Sequence, residues 1–291
     1  MIREVASDAD LEAWVEVKNA VVPNEPTNVE QMRNGEEPGR KLWLAEEGGR
    51  AVGCAIAALS NFGGKAFVAV RVLPEFRRRG IGRSLAAVAA AHGRSLGRDG
   101  VNCFVYADEP HSIAFAESYG LADVDYQLEQ VRAIGDEPAP PGDVHVRALG
   151  GDRDALLERV WDEVARESYL DLPLPGEVTY PRDEFLREEA TRPDGSFVAL
   201  EGDAIVGYAG LMAHANGDAT AEHGLTAVRR DHRRRGIGRA LKLAQLHWAS
   251  RNGVVELVTW TQKGNEAMQA LNRGIGYRDM SKVITYQGPL P

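Results

Sequence analysis

Apolar and polar positions follow one another in the same order twice along this chain. Residues 2–5 and 145–148 read as edge strands. Behind them, Leu11, Trp14 and Val15 in the first half, and Leu156, Leu157, Val160 and Trp161 in the second, recur at helical spacing. Each half then offers two apolar runs around a Glu-Gly turn, KLWLAEEGGRAVGCAIAAL and SFVALEGDAIVGYAGLMAH, the pattern of a hairpin. Strands predicted over 66–72 and 222–228 run into an Arg/Gly segment that opens a long Ala/Leu-rich helix. Strands over 101–106 and 254–260, a short helix and a last strand close each half. The class is α+β, a mixed, mostly antiparallel sheet flanked by helices, present twice.

The repetition extends to the letters. RRRGIGRSL at 77–85 returns as RRRGIGRAL at 233–241, a shift of 156, and the same shift carries Gly120 onto Gly276. Upstream the shift is 144 for Arg3 onto Arg147 and 154 for Gly53 onto Gly207. The second copy therefore carries about ten extra residues around 170–191. Between the copies, AIGDEPAPPGDV has the Pro, Gly and Asp content of an exposed linker. The expected division is a domain over 1–133, a linker over 134–144 and a domain over 145–291.

At 291 residues the chain has room for two such domains, each with a core of its own. A net charge of −9 argues against a nucleic-acid partner, while a local basic patch can still hold a small anion. No segment has the layout of a signal peptide or the length of a membrane span, so a soluble, cytoplasmic protein is expected. Cys54 and Cys103 lie in apolar runs with no C-x-x-C and no histidine at metal spacing, so buried thiols and no metal are expected. Trp14, Trp43, Trp161, Trp248 and Trp260 are expected in the cores.

The Arg/Gly segments carry the chemistry. A helix start presents unpaired N–H groups and the positive end of its dipole, and so binds anions. Gly236 and Gly238 allow a tight turn and close backbone approach, and Arg233, Arg234, Arg235 and Arg239 add donors suited to phosphate oxygens. A diphosphate is the predicted ligand group.

These residues resemble the GNAT acetyltransferase superfamily, whose signature R/Q-x-x-G-x-G/A is matched by Arg77, Gly80 and Gly82 and again by Arg233, Gly236 and Gly238. The resemblance spans nearly the whole chain as two tandem GNAT-type domains, and implies acetyl-CoA or another acyl-CoA as cofactor. Carried over residue by residue, it implies a cofactor site of Thr226, Val228, Arg233, Arg234, Arg235, Gly236, Ile237, Gly238, Arg239, Ala240, Asn265 and Asn272. A second cofactor site would comprise Val72, Arg77, Arg78, Arg79, Gly80, Ile81, Gly82 and Arg83.

Attack of an amine on a thioester needs the free base of the amine. With an amine pKa of about 10.4 that costs roughly 4.6 kcal/mol at pH 7, whereas a thiol of pKa about 8.5 leaves readily. A general base therefore matters more than a general acid. The family's base glutamate stands eleven positions before the signature, which is Glu222 in the second copy and Ala66 in the first. Regular alternation would place Glu222, Gly224, Thr226 and Val228 on one face and the competing base His223 on the other. The resemblance assigns the Val228 N–H to the thioester carbonyl. The family's acid tyrosine is replaced by Asn272 and by Ala116, leaving Tyr277, Tyr286, water or unassisted departure of the thiolate.

The first copy, with Glu109 where the second has Asn265, is expected to be degenerate. The extra segment of the second copy offers Tyr169, Asp171, Glu177, Tyr180, Asp183 and Glu184 to a cationic acceptor. The expected activity is acetyl transfer to a primary amine of a small molecule. A non-catalytic acyl-CoA-binding module and a protein lysine or N-terminal acetyltransferase stay open as alternatives, as does a homodimer.

Overall fold

In a computed structural model, which describes every residue except 24, 36, 37, 61–63, 173–181, 215 and 216, the repeat becomes two compact units. The first unit contains β1 (Ile2–Glu4), α1 (Asp8–Val21), α2 (Val29–Asn34), β2 (Lys41–Glu47), β3 (Arg50–Leu59), β4 (Ala66–Val72), α3 (Ile81–Ser95), β5 (Gly100–Tyr106) and α4 (Pro110–Glu117). β6 (Ala122–Ala133) leads into the second unit, with β7 (His145–Ala148), α5 (Arg153–Val160), α6 (Arg166–Leu170), α7 (Arg182–Glu188), β8 (Phe197–Glu201), β9 (Ala204–Ala213) and β10 (Thr220–Val228). α8 (Ile237–Arg251), β11 (Glu256–Gln262), α9 (Glu266–Gly274) and β12 (Arg278–Pro289) follow. A π-helical stretch, Trp161–Ala165, joins α5 to α6.

The sheet of the first unit runs β1-β2-β3-β4-β5-β12 and that of the second β6-β11-β10-β9-β8-β7. Residues 283–289 of β12 ladder antiparallel to β5, and residues 127–133 of β6 ladder antiparallel to β11. The last strand of each sheet thus comes from the other half of the sequence. The compact units are Met1–Tyr126 with Val283–Pro291 and, among the described residues, 127–172 with 182–282. Expected cuts at 133 and 145 follow the repeat and differ from this partition, because strand pairing is not visible in a repeat. The segment expected as an exposed linker has no helix or strand, yet Glu137 is buried and ion-paired to Arg132 at 2.7 Å.

Local sequence explains the elements. Ser7 and Asp10 form a capping box at the start of α1, whose Leu11, Trp14 and Val15 are buried against β3, with the Trp14 indole N–H donating to the Ala55 carbonyl at 3.0 Å. On the other face of that sheet, Leu85, Ala89 and Ala90 of α3 pack on Val52 and Ala55. In the second unit, Leu156, Leu157, Val160 and Trp161 pack with Phe185 of α7 and Tyr208 of β9, while Leu241 of α8 covers Ala209 and Ala199. Cys54 is buried and Cys103 half-buried, both as free thiols, and no helix among the described residues is long and apolar enough to cross a membrane.

Candidate functional site

Both Arg/Gly loops take the same backbone path. Arg78 and Arg234 sit at φ 64° and 65°, in the left-handed region that non-glycine residues avoid at a cost of about 1–3 kcal/mol. Gly80 and Gly236, at φ 83° and 81°, then open α3 and α8 with no side-chain cap, so among the described residues no cap takes up the first amides of either helix. Of the four arginines in each segment, two are tied down. Arg77 and Arg233 donate through Nε to the carbonyls of Val72 and Val228 at 3.1 Å, and Arg233 also reaches Asp171. Arg79 bonds Glu47 and the Glu75 carbonyl, and Arg235 bonds Glu201. Among the described residues Arg78 and Arg83, and Arg234 and Arg239, have no such partner and remain available to phosphate oxygens.

Asp171 accepts from both Arg230 and Arg233, and these guanidinium groups hold its carboxyl down to about 2. The acceptor role expected of Asp171 gives way to a structural one, clamping the loop. Side chains of Ile81 and Ile237 point inward to the cores of their units, while Ala240 is buried in α8. A Cβ on Gly82 or Gly238 would meet nothing closer than 3.6 Å, so it is not internal packing that requires glycine there.

The two copies differ at the strand before the loop. β10 and β11 pair in parallel only from Thr220 opposite Glu256 to Glu222 opposite Val258, then diverge. β4 and β5 pair only at Ala66 with Val101 and Phe67 with Asn102. Arg229 donates its N–H to Val206 on β9, so the preceding N–H and C=O, of Val228, point into the gap. β10 also carries a bulge between His223 and Thr226, whereas β4 pairs with β3 without a break. The bulge overturns the expected alternation. His223, Thr226 and Val228 pair with Leu211, Ala209 and Gly207 on the face covered by α8, while Glu222 and Ala227 pair with Met212 and Tyr208 on the face of α5 and α7. Aligned through β3 and β9, Phe67 rather than Ala66 stands in the place of Glu222.

On that face the structure supplies a residue the sequence did not announce. Glu189, just after α7, is buried, and its carboxylate accepts the Leu225 N–H at 2.9 Å and the Tyr208 hydroxyl at 3.0 Å. A Cβ on Gly210 or Gly224 would come within 2.2 or 2.3 Å of its Oε2, so two glycines make room for it. Burial pushes the Glu189 carboxyl up, against the pull of these donors. Ala190 beside it has φ 53°, and Arg153 gathers the carbonyls of Leu186, Arg187, Glu189 and Ala190 at 2.6–3.3 Å, which fixes the end of α7. Tyr169 stacks into a cluster with Trp161, Phe185 and Tyr208 on the same face. Asp183 and Glu184 lie in the first turn of α7, while Glu177 and Tyr180 fall outside the described residues.

Other expected residues have structural duties. Asn265 caps α9, and buried Asn272 donates to Gln130 at 2.9 Å. The Tyr277 hydroxyl donates to His223, itself on the α8 face, and burial pushes the phenol up. Tyr286 belongs to the first unit, opposite Cys103. Lys242 sits by this pair with Nζ 5.5 Å from the Tyr277 ring, buried and with no ion pair among the described residues; burial pulls its ammonium down to about 7. Thr226 Oγ1, in contrast, is buried without a partner beside the gap. Unpaired amides, free arginines and an orphaned hydroxyl fit a ligand with a diphosphate at the helix start and an arm along β10. No group of three or more histidine, cysteine, aspartate or glutamate side chains placed for a metal occurs among the described residues.

The acetyltransferase (GNAT) family matches the chain twice, over residues 8–121 and 159–277. A mycothiol acetyltransferase of Thermobispora bispora is 26% identical over 300 residues, covering 98% of this chain and 98% of that protein. The mycothiol acetyltransferase of Clavibacter michiganensis is 29% identical over 266 residues, 87% of this chain and 82% of its own. Among solved structures, a tandem GNAT protein from the clavulanic acid biosynthesis pathway superposes with a TM-score of 0.75 at 23% identity, covering 100% of this chain and 98% of that one. A GCN5-related N-acetyltransferase from Sphaerobacter thermophilus superposes with a TM-score of 0.77 at 20% identity over 100% and 95%. With the family matched in both halves and the fold shared along its full length, this chain belongs to the GNAT family and is an acyl-CoA-dependent N-acetyltransferase built from two GNAT repeats.

Proposed function

We propose that this enzyme transfers the acetyl group of acetyl-CoA to a primary amine of a small molecule, with the chemistry in the unit of residues 127–282. The observation that carries this reading is the bulge in β10, present in the second copy alone, with Glu222 at the point where β10 and β11 part. In the first copy the corresponding face is filled by Ile56, Phe67 and Ala69 as core. Relatives matching along nearly the whole chain are named for mycothiol, which supports a small-molecule acceptor.

In this reading acetyl-CoA supplies the thioester. Amides at the start of α8, with Arg234 and Arg239, hold its diphosphate. The Val228 N–H, directed into the gap, donates to the thioester carbonyl and stabilises the charge that develops there. Glu222, on the face of α5 and α7, takes the proton from the incoming amine, directly or through one water. Glu189 holds the bulge in shape from the same face. No acid is assigned, since the Tyr277 hydroxyl is engaged by His223 and a thiolate of pKa about 8.5 leaves without help.

The test is release of free CoA from acetyl-CoA with a panel of small amines, measured for the wild type and Glu222→Gln. The variant should lose roughly 10²–10⁴-fold in kcat with unchanged affinity for acetyl-CoA. Equal turnover by both would remove Glu222 as the base. Absence of acetyl-CoA binding by the wild type would remove the reading itself.

A further inference from the structure

The two copies present opposite charge on equivalent faces. In the second unit the face of β10 turned to α5 and α7 carries Glu222 and Glu189. In the first, the register of β3 and β4 puts Arg71 where the second has Ala227, and Cys54 where the second has Tyr208. Arg71 lies against Trp14 of α1, its guanidinium carbon 5.8 Å from the ring centroid. Lys18, one turn further along α1, is 7% exposed and has neither an ion pair nor a hydrogen bond among the described residues.

We propose that the N-terminal unit binds a small oxyanion, a carboxylate or a phosphate, between Lys18 of α1 and Arg71 of β4. Arg71 is half-buried against the ring of Trp14, and the buried Lys18 follows Trp14 by one helical turn; cations so placed repel each other and lose hydration, and an anion answers both costs. Of the groups around them, Glu25 attracts Lys18 through space but does not bond it, and no ion pair holds either cation among the described residues. The Glu25 carboxylate is exposed and occupied by the Tyr106 hydroxyl, and Cys54, which Arg71 also contacts, is kept a neutral thiol because burial pushes it up to about 12. Arg71 Nη1 is buried and has no acceptor among the described residues. The guanidinium lies against Trp14 with Nη1 unfilled, and the ammonium adds a point charge, a donor set suited to the two oxygens of a carboxylate or phosphate. The ammonium of Lys18 is pulled down by burial and by Arg71, against the smaller opposing pull of Glu25 and Cys54. Unlike the Arg/Gly loops, this pair has no counterpart in the second unit, and the proposal stands apart from where acetyl transfer occurs.

Isothermal titration of the full chain with succinate, and separately with inorganic phosphate, at constant ionic strength in chloride, tests it. One of the two should bind, with affinity at least tenfold weaker in Lys18→Met and in Arg71→Met and kept by Lys18→Arg. Which of the two binds identifies the oxyanion. In chloride alone, Lys18→Met should unfold at a higher temperature than the wild type, and the difference should shrink when the bound anion is added. Equal binding by the wild type and both Met variants would assign the anion to the Arg/Gly loops and overturn the proposal. So would absence of binding by a folded wild type.

Discussion

A lysine enclosed without an anion makes a statement about pH. Lys242 titrates at about 7 in the folded chain, whereas an unfolded lysine holds its proton to about 10.4. Between these values the unfolded state carries more protons, so stability rises with pH through that window. His223, pushed well below its ordinary value by burial and by Lys242, adds a loss of stability as pH falls below about 6.5. Lys242→Met should therefore stabilise the protein at pH 7, on the order of 1–3 kcal/mol, with the gain fading toward pH 10. Chemical denaturation at pH 7 and pH 10 measures it; equal effects at both would show that Lys242 has a counter-ion in the fold. Composition gives no sign of this cluster, because a Lys on a helix is ordinarily a solvated residue and this one is buried beside Tyr277, far along the chain.

At the scale of elements, the same strand-loop-helix segment is built twice with different consequences. The glycines, the strained second arginine and the uncapped helix start repeat to within 2° at the positive-φ positions. These features are local, and so the Arg/Gly string alone was enough to locate them. The bulge in β10 is not local in this sense. It comes from one extra residue relative to β9, and it moves Glu222 to the opposite face from Val228. Gly224 is where the bulge meets Glu189, and the buried carboxylate, held by Leu225 and Tyr208, has little room to yield. Gly224→Ala should destabilise the chain by about 1–3 kcal/mol and lower kcat while binding of acetyl-CoA persists. Denaturant unfolding and CoA-release assays on the same preparation would decide it; an unchanged kcat would free Glu189 and the bulge from any part in the reaction.

On the scale of the whole molecule, the closing strands set what can fold alone. A fragment of residues 145–291 contains the second repeat but lacks residues 127–133, which pair with all of β11 from Glu256 to Gln262. A fragment of residues 127–282 keeps that ladder. The second should give a cooperative unfolding transition and the first should not, since β11 would be left with an open edge. If the fragment of 145–291 folded as well as that of 127–282, the repeat and not the compact unit would be the folding unit.

What the sequence determined by itself was whatever repeats or depends on near neighbours: the two copies, the α+β class, the order of elements and the place of the Arg/Gly loops at the helix starts. Tertiary structure decided the rest. Only packing shows that Arg233 and Arg235 are spent on carboxylates, that Asn272 and Tyr277 are internal ties, and that β6 and β12 end each other's half of the repeat. Only cross-strand register reveals the face of Glu222 and the place of Arg71, because one inserted residue reverses every side chain beyond it. Glu189 and Lys18 were ordinary charged residues until the fold enclosed them, and it is burial, set by residues far along the chain, that gives each its chemistry.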